Sequence, residues 1–253
     1  MSKIYAITNQ KGGVGKTTTA VNLGACLAQL GKKILVIDND PQGNATSGMG
    51  LKKGEIKRCL YDVLISEVPV QEVIVPTQIQ GLWAAPSTIK LAGAEAELVG
   101  MMSRDQRLRR SIEPIRPDYD FILIDCPPSL GNLTLNALAA ADAVLIPIQC
   151  EYYALEGLGQ LLKTLQLVQK YSNPSLVIQG VILTMFDNRT NLSQQVAEEI
   201  RKFFPDKTYK SIIPRNIRLS EAPSYGMPIS IYDEKSKGAE SYMDLAREVM
   251  GHE

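Results

Sequence analysis

Lys11-Gly12-Gly13-Val14-Gly15-Lys16-Thr17-Thr18 lies between an apolar run, Ile4 to Thr8, and a stretch from Thr17 to Leu30 whose apolar residues recur at helical spacing. Gly31 closes that stretch, so the reading is strand, glycine-rich turn, helix. Glycines let the backbone curl until successive N–H groups face one point, and the N-terminus of the following helix adds partial positive charge. Such a turn is a site for phosphate. Lys16 is placed to reach the β and γ phosphates as a point charge, the Thr17 hydroxyl to sit on a bound Mg²⁺, and Thr18 to hold the α phosphate. The usual pattern is Gly, four residues, then Gly-Lys-Thr; here its first position is Gln10, and Lys11 adds a second lysine to a loop that normally has one.

The chain has 253 residues, 45% of them apolar, which is enough for one large core and predicts a single domain over residues 1–253. No apolar run approaches the length of a membrane span, and the first strand begins at Lys3, leaving no room for a signal peptide, so a cytoplasmic location is expected. Cys26, Cys59, Cys126 and Cys150 have no paired spacing and read as small buried hydrophobes. His252 is the only histidine, so any catalysis must rest on carboxylates, lysines and metal. Twenty-seven basic residues balance 27 acidic ones, which leaves no overall attraction for polyanions; nucleic-acid binding would need a local cluster.

Further apolar runs at Lys33 to Asp38, Phe121 to Ile124, Ala143 to Ile148, Val177 to Leu183 and Tyr209 to Ile213 are mostly separated by helical patterns. The fold class implied is α/β, a mainly parallel twisted sheet with helices on both faces and ligands at the carboxyl ends of its strands. Between Lys52 and Leu82 the pattern gives no clear boundaries. Two acidic motifs end strands on that ligand edge. In Asp38-Asn39-Asp40-Pro41-Gln42-Gly43-Asn44, Asp40 is the candidate for positioning an attacking water and Asp38 for organising the outer shell of a metal; an Asx turn is the plainer alternative. In Phe121-Ile122-Leu123-Ile124-Asp125, followed by Cys126-Pro127-Pro128-Ser129, Asp125 is the candidate Mg²⁺ carboxylate. Pro214 and Asn216 follow the last strand and can reach the same edge, where Asn216 offers a donor and an acceptor to a purine; a surface turn is the alternative.

Taken together, these motifs resemble the deviant Walker A ATPases, and within them the ParA family of DNA-partition ATPases, its chromosomal Soj-like members above all. The resemblance runs almost end to end: residues 9–19, 40–46, Leu-Ala-Gly-Ala-Glu at 91–95, 125–131, Gln-Cys-Glu-Tyr-Tyr-Ala-Leu-Glu-Gly at 149–157 and 213–224. It implies a P-loop NTPase that binds ATP and Mg²⁺ through Lys11 to Thr18 and hydrolyses slowly to ADP. It also implies a homodimer closed face to face around two nucleotides, with Lys11 reaching the nucleotide of the other subunit. That dimer would bind duplex DNA without sequence preference, associate with the nucleoid, and be released by a ParB/Spo0J-like centromere-binding protein. Asn39 departs from the family, where the residue between the two aspartates is usually apolar.

Between Arg201 and Arg218 lie Arg201, Lys202, Lys207, Lys210, Arg215 and Arg218 against one acid, Asp206, a local basic stretch able to bind phosphates. A solvated helix face is the alternative for Arg201 and Lys202. The resemblance implicates arginines matching Arg189 and Arg218 in DNA contact. Three rivals share the P-loop. A MinD-like membrane ATPase would end in a basic amphipathic helix, whereas Glu240, Asp244, Glu248 and Glu253 face Arg247 alone in this tail, and no membrane binding is expected. An iron–sulfur reductase would need cysteines bridging two subunits. A small-molecule ligase or kinase would need an acceptor pocket, which the sequence does not reveal.

Overall fold

The computed structural model describes residues 2–152 and 158–251; residues 153–157 of the motif at 149–157, with His252 and Glu253, lie outside them. The chain enters through β1 (Lys3–Ile7), turns through the glycine loop into α1 (Lys16–Gln29), and returns through β2 (Ile34–Asp38). There follow α2 (Asn44–Gly48), α3 (Leu60–Ser66), β3 (Val75–Pro76), β4 (Leu82–Ala85), α4 (Leu91–Glu97), α5 (Arg107–Ile112), β5 (Phe121–Asp125), α6 (Asn132–Ala140) and β6 (Ala143–Gln149). The last part comprises α7 (Leu158–Tyr171), β7 (Val177–Phe186), α8 (Asn191–Phe203), β8 (Thr208–Pro214), α9 (Ile217–Glu221), α10 (Ile229–Tyr232) and α11 (Lys237–Gly251).

The eight strands form one sheet in the order β3-β4-β2-β5-β1-β6-β7-β8, parallel throughout except for β3. This is the expected mainly parallel architecture, and each expected strand is present with ends shifted by at most three residues. The stretch from Lys52 to Leu82, which the sequence leaves open, holds α3 and the two-residue edge strand β3; Pro76, lacking an N–H, stands on the outermost strand, where that loss is tolerated.

Alternation along the central strands divides the apolar residues between two cores. Ile4 and Ala6, Leu35 and Ile37, Ile122 and Ile124 face one side, under α3 to α8. Tyr5 and Ile7, Ile34 and Val36, Phe121 and Leu123 face the other, against α1 and α11. Every residue of β2 and β5 is buried, which is why these strands read as continuous apolar runs ending in aspartate. α11 buries Tyr242, Leu245, Ala246 and Val249, so the apolar face of the C-terminal helix is already consumed. No helix among the described residues is long and apolar enough to cross a membrane. All four cysteines are free and buried, as their spacing implies.

In β7, Gly180 has no side chain because the Tyr209 ring of β8 lies across it; a β-carbon there would come within 2.3 Å of that ring. Gly180→Ala is expected to cost about 1–3 kcal/mol through overpacking. A thermal melt should show the midpoint falling by several degrees.

Candidate nucleotide site

Register, more than proximity in sequence, assembles the site. Ile7 and Asp38 both pair with Asp125 across parallel ladders, so β1, β2 and β5 end at one level. The glycine loop and both acidic motifs therefore open into one crevice at the carboxyl edge of the sheet, where chain direction diverges on either side of β1.

The loop is held from three sides. Asn9 donates from Nδ2 to the Pro147 carbonyl at 2.8 Å and accepts the Lys11 N–H at 3.0 Å, which starts the curl. Gly13 and Gly15 have φ of 73° and 90°, a left-handed backbone that favours glycine, and Gly15 caps α1. Thr184, at the end of β7, donates its hydroxyl to the Val14 carbonyl at 2.8 Å. Val14 is buried and therefore anchors the loop, while Gly12 and Gly13 are exposed on its crest. Thr17 and Thr18 stand in the first turn of α1, half-buried at the crevice.

The two lysines differ sharply. Lys16 is only 5% exposed, and its ammonium donates to the Lys11 carbonyl at 2.9 Å, closing the loop on itself. Burial pulls the Lys16 pKa down, while the charges of Asp125, Cys126 and Asp40 push it back up. Lys11 is half-buried, and its ammonium makes no hydrogen bond or ion pair among the described residues.

The carboxylates also divide the work. Asp38 is fully buried: its Oδ2 accepts the Thr46 N–H and hydroxyl, both at 2.7 Å, and its Oδ1 accepts the Asp40 N–H at 3.2 Å. Its contacts thus shape the loop between β2 and α2. Asp40 Oδ1 accepts the Gln42 N–H at 2.8 Å, which fixes Asp40 at the mouth of that loop. Asp125 is different again, since both its oxygens are buried without a hydrogen bond of ordinary geometry. Burial, then the charge of Asp38, raises the Asp125 pKa well above the carboxylate range; the neighbouring Thr17 hydroxyl and Lys16 oppose the rise.

Two orphaned carboxylate oxygens beside a threonine hydroxyl suit a hydrated divalent cation, which would supply the missing donors through bound water. No group of three or more histidine, cysteine, aspartate or glutamate side chains gathers for a metal among the described residues. A cation there would accordingly depend on Thr17, water and phosphate oxygens for its ligands.

Beside Gly15 and Thr18 opens a cleft of about 440 Å³ lined by Thr184, Met185, Pro214, Asn216 and Tyr242 among others. Pro214 and Asn216 thus lie on the same cleft as Gly15 and Thr18, at the carboxyl edge of the sheet. The Asn216 carboxamide oxygen accepts the Leu219 N–H at 3.3 Å and caps α9, which ties the side chain to the start of that helix.

Arg189 and Arg218 are exposed on the same edge. Arg189 makes a bidentate pair with Asp187 at 2.9 and 2.7 Å, and Arg218 pairs with Glu221 at 3.0 Å and Asp233 at 3.5 Å. The basic stretch from 201 to 218 is divided by the fold. Arg201 and Lys202 close α8 and Lys207 precedes β8 at the far edge of the sheet; Arg215 and Arg218 follow β8 at the nucleotide edge. Phe186 opposite Pro214, and an Arg215 N–H to Phe186 carbonyl bond of 2.9 Å, bring the loop carrying Arg189 beside Arg215.

Thr46, Thr184 and Asn9 were not singled out from sequence. Thr46 belongs to the quoted motif at 40–46 without a role, and Thr184 meets the loop only through the order of strands.

A family described as an AAA domain matches residues 2–178. The sporulation initiation inhibitor protein Soj of Bacillus subtilis is 61% identical over 249 residues, 98% of either chain. The chromosome partitioning protein ParA of Myxococcus xanthus is 55% identical over 250 residues, covering 99% of this chain and 88% of that one. The chain belongs to the Soj/ParA family. Among solved structures, a cobyrinic acid a,c-diamide synthase from Mycobacterium smegmatis with bound ADP and magnesium superposes on this Soj/ParA chain with a TM-score of 0.88 at 37% identity, covering 100% of this chain and 95% of that one.

Thr46→Val keeps the volume of the side chain but removes the hydroxyl that donates to buried Asp38. It should cost about 1–3 kcal/mol, and hydrogen exchange should accelerate at residues 40–48.

Proposed function

We propose that this chain is an ATP-driven switch for DNA partition, a Mg²⁺-dependent ATPase whose nucleotide-bound homodimer binds duplex DNA. The observation that carries the reading is the pair of loop lysines: Lys16 is buried within its own loop, while the half-buried Lys11 has no side-chain partner among the described residues.

In this reading the turn from Gly12 to Gly15 and the N-terminus of α1 cradle the phosphates, Lys16 and Thr18 hold them, and Pro214 and Asn216 bound the base. Bound Mg²⁺ would neutralise charge on the terminal phosphates beside Thr17 and Asp125, with Asp38 shaping the adjoining loop. Asp40 orients the attacking water. Lys11 donates to the phosphates held by a second copy of the chain, which makes dimer closure depend on nucleotide. Loss of the terminal phosphate removes that target and lets the dimer part.

The dimer doubles the edge that carries Arg189 and Arg218. Both arginines are themselves exposed; the Arg218–Glu221 pair is open to solvent and contributes little to stability, so a DNA phosphate can replace it, while Arg189 keeps its bidentate hold on the less exposed Asp187 and offers positive charge beside it. A ParB/Spo0J-like partner is the expected trigger of hydrolysis, and the working place is the cytoplasm, on the nucleoid. The ligase alternative has one observation in its favour, the name of the M. smegmatis structure. Relatives of 55% and 61% identity, named for partition and sporulation control, favour the switch. Against the membrane alternative, α11 packs its apolar face into the protein and so does not offer it to a lipid surface.

With ATP and Mg²⁺, Asp40→Ala should elute from gel filtration as a stable dimer that retains duplex DNA, with affinity falling steeply as salt rises. Persistent monomer would sink the proposal. Lys11→Ala should stay monomeric while binding ATP nearly as the unmodified protein does. Arg218→Glu should lose DNA binding and keep ATP binding; loss of both would show that Arg218 serves the nucleotide.

A further inference from the structure

Asn39 and Glu95 have no place in the chemistry above, yet they hold both ends of the loop that follows Asp125. At its start, the Asn39 N–H donates to the Asp125 carbonyl at 3.0 Å. Past its end, Asn39 Nδ2 donates to the Leu133 carbonyl in the first turn of α6 at 2.9 Å, in a fully buried contact. A single residue of the Asp38–Asp40 loop therefore spans residues 126–131 like a brace. Inside the brace, the Thr134 hydroxyl donates to the Ser129 carbonyl at 2.6 Å.

Glu95 secures the same turn of α6 from outside. Its carboxylate accepts the Asn132 N–H at 2.7 Å and the Leu133 N–H at 3.2 Å, while Asn132 Nδ2 returns a bond of 2.9 Å to the Glu95 carbonyl. A carboxylate on the first amides of a helix is favoured by charge as well as by hydrogen bonding. The approach is so close that a β-carbon on Gly131 would lie 2.7 Å from the Glu95 oxygens. Leu133 is the common member, giving its N–H to Glu95 and its carbonyl to Asn39.

We infer that Asn39 and Glu95 are positioning residues that clamp α6 so that the loop carrying Asp40 and the loop after Asp125 hold one mutual geometry during ATP turnover. The inference rests on the proposed ATPase reading. The phosphate cradle is built by other contacts, from Asn9, Thr184 and the glycines, so the clamp bears on the hydrolytic step and leaves nucleotide affinity alone. Displacement of a reacting group by about 1 Å can cost on the order of 100-fold in rate, which leaves ample room for an effect through Asp40. Both residues serve one unit, so their effects should not add.

The test measures kcat, the Kd of a fluorescent ATP analogue and the melting temperature for Glu95→Gln, Asn39→Leu and the double variant. Glu95→Gln keeps size and one acceptor, and safeguards the comparison if the buried Asn39→Leu change impairs folding. The expected result is a fall in kcat of about fivefold or more for each variant, nucleotide Kd within about twofold, and a double variant no slower than the slower single one. Glu95→Asp, whose carboxylate is one methylene short, should not restore the rate. Unchanged kcat in folded Glu95→Gln, or equal losses in Kd and kcat, would overturn the clamp and leave the ATPase reading intact. Failure of the unmodified protein to bind or turn over ATP would overturn both, and is distinguished because it precedes any substitution.

Discussion

The parallel hydrogen-bond ladder through β2, β5 and β1 is the constraint on which the rest of the molecule depends. It sets Asp38, Asp125 and Ile7 at one level, and the three loops that follow have no other way of meeting. Parallel pairing requires crossovers, and these place α1 on one face and α6 on the other. Those two helices begin at the crevice: one offers its N-terminus to phosphate, the other its first turn to Asn39 and Glu95.

Burying ionisable groups at the end of this ladder is costly unless each finds compensation. Asp38 finds it in three hydrogen bonds, one from Asp40 and two from Thr46 of α2, and Lys16 in a carbonyl together with nearby negative charge. Asp125 finds the least, with both oxygens unsatisfied and its pKa driven up by burial and by Asp38. The imbalance lies where a cation and phosphates would complete the site. Unsatisfied polarity in a close-packed interior is a mark of function more than of stability.

Around this centre, polar side chains tie the loops to distant strands and helices. Thr184 holds the glycine loop from β7, Asn9 at the start of that loop ties it to β6, and Asn39 joins the ends of β2 and β5 to α6. Each of these bonds is worth about 0.5–1.5 kcal/mol in stability. Together they leave the crevice loops one mutual arrangement, and that matters more for positioning than for the free energy of folding. Arg189 and Arg218, by contrast, are exposed side chains whose ion pairs lie at the surface and fix no loop in this way.

The strand–glycine–helix stretch at 4–30, the apolar runs ending in Asp38 and Asp125, and the scattered cysteines were legible in the sequence because period, punctuation and burial leave local marks. So were the parallel architecture and the phosphate loop. The segment from Lys52 to Leu82 was not, since its short elements are held by packing against the main sheet more than by their own periodicity. Nor was the division of the basic stretch between two ends of the sheet, because charge along a chain does not reveal which residues precede a strand and which follow it. Asn39 departs in sequence from the residue usual at its place in the family, but its brace depends on Leu133, and Glu95 on α6, contacts across long separations in the chain. The sequence by itself determined which chemical groups are present and the local geometry of the turn that cradles phosphate. Only the tertiary structure decided which groups face one another, because strand order and register, which no local pattern encodes, set the distances between loops far apart along the chain.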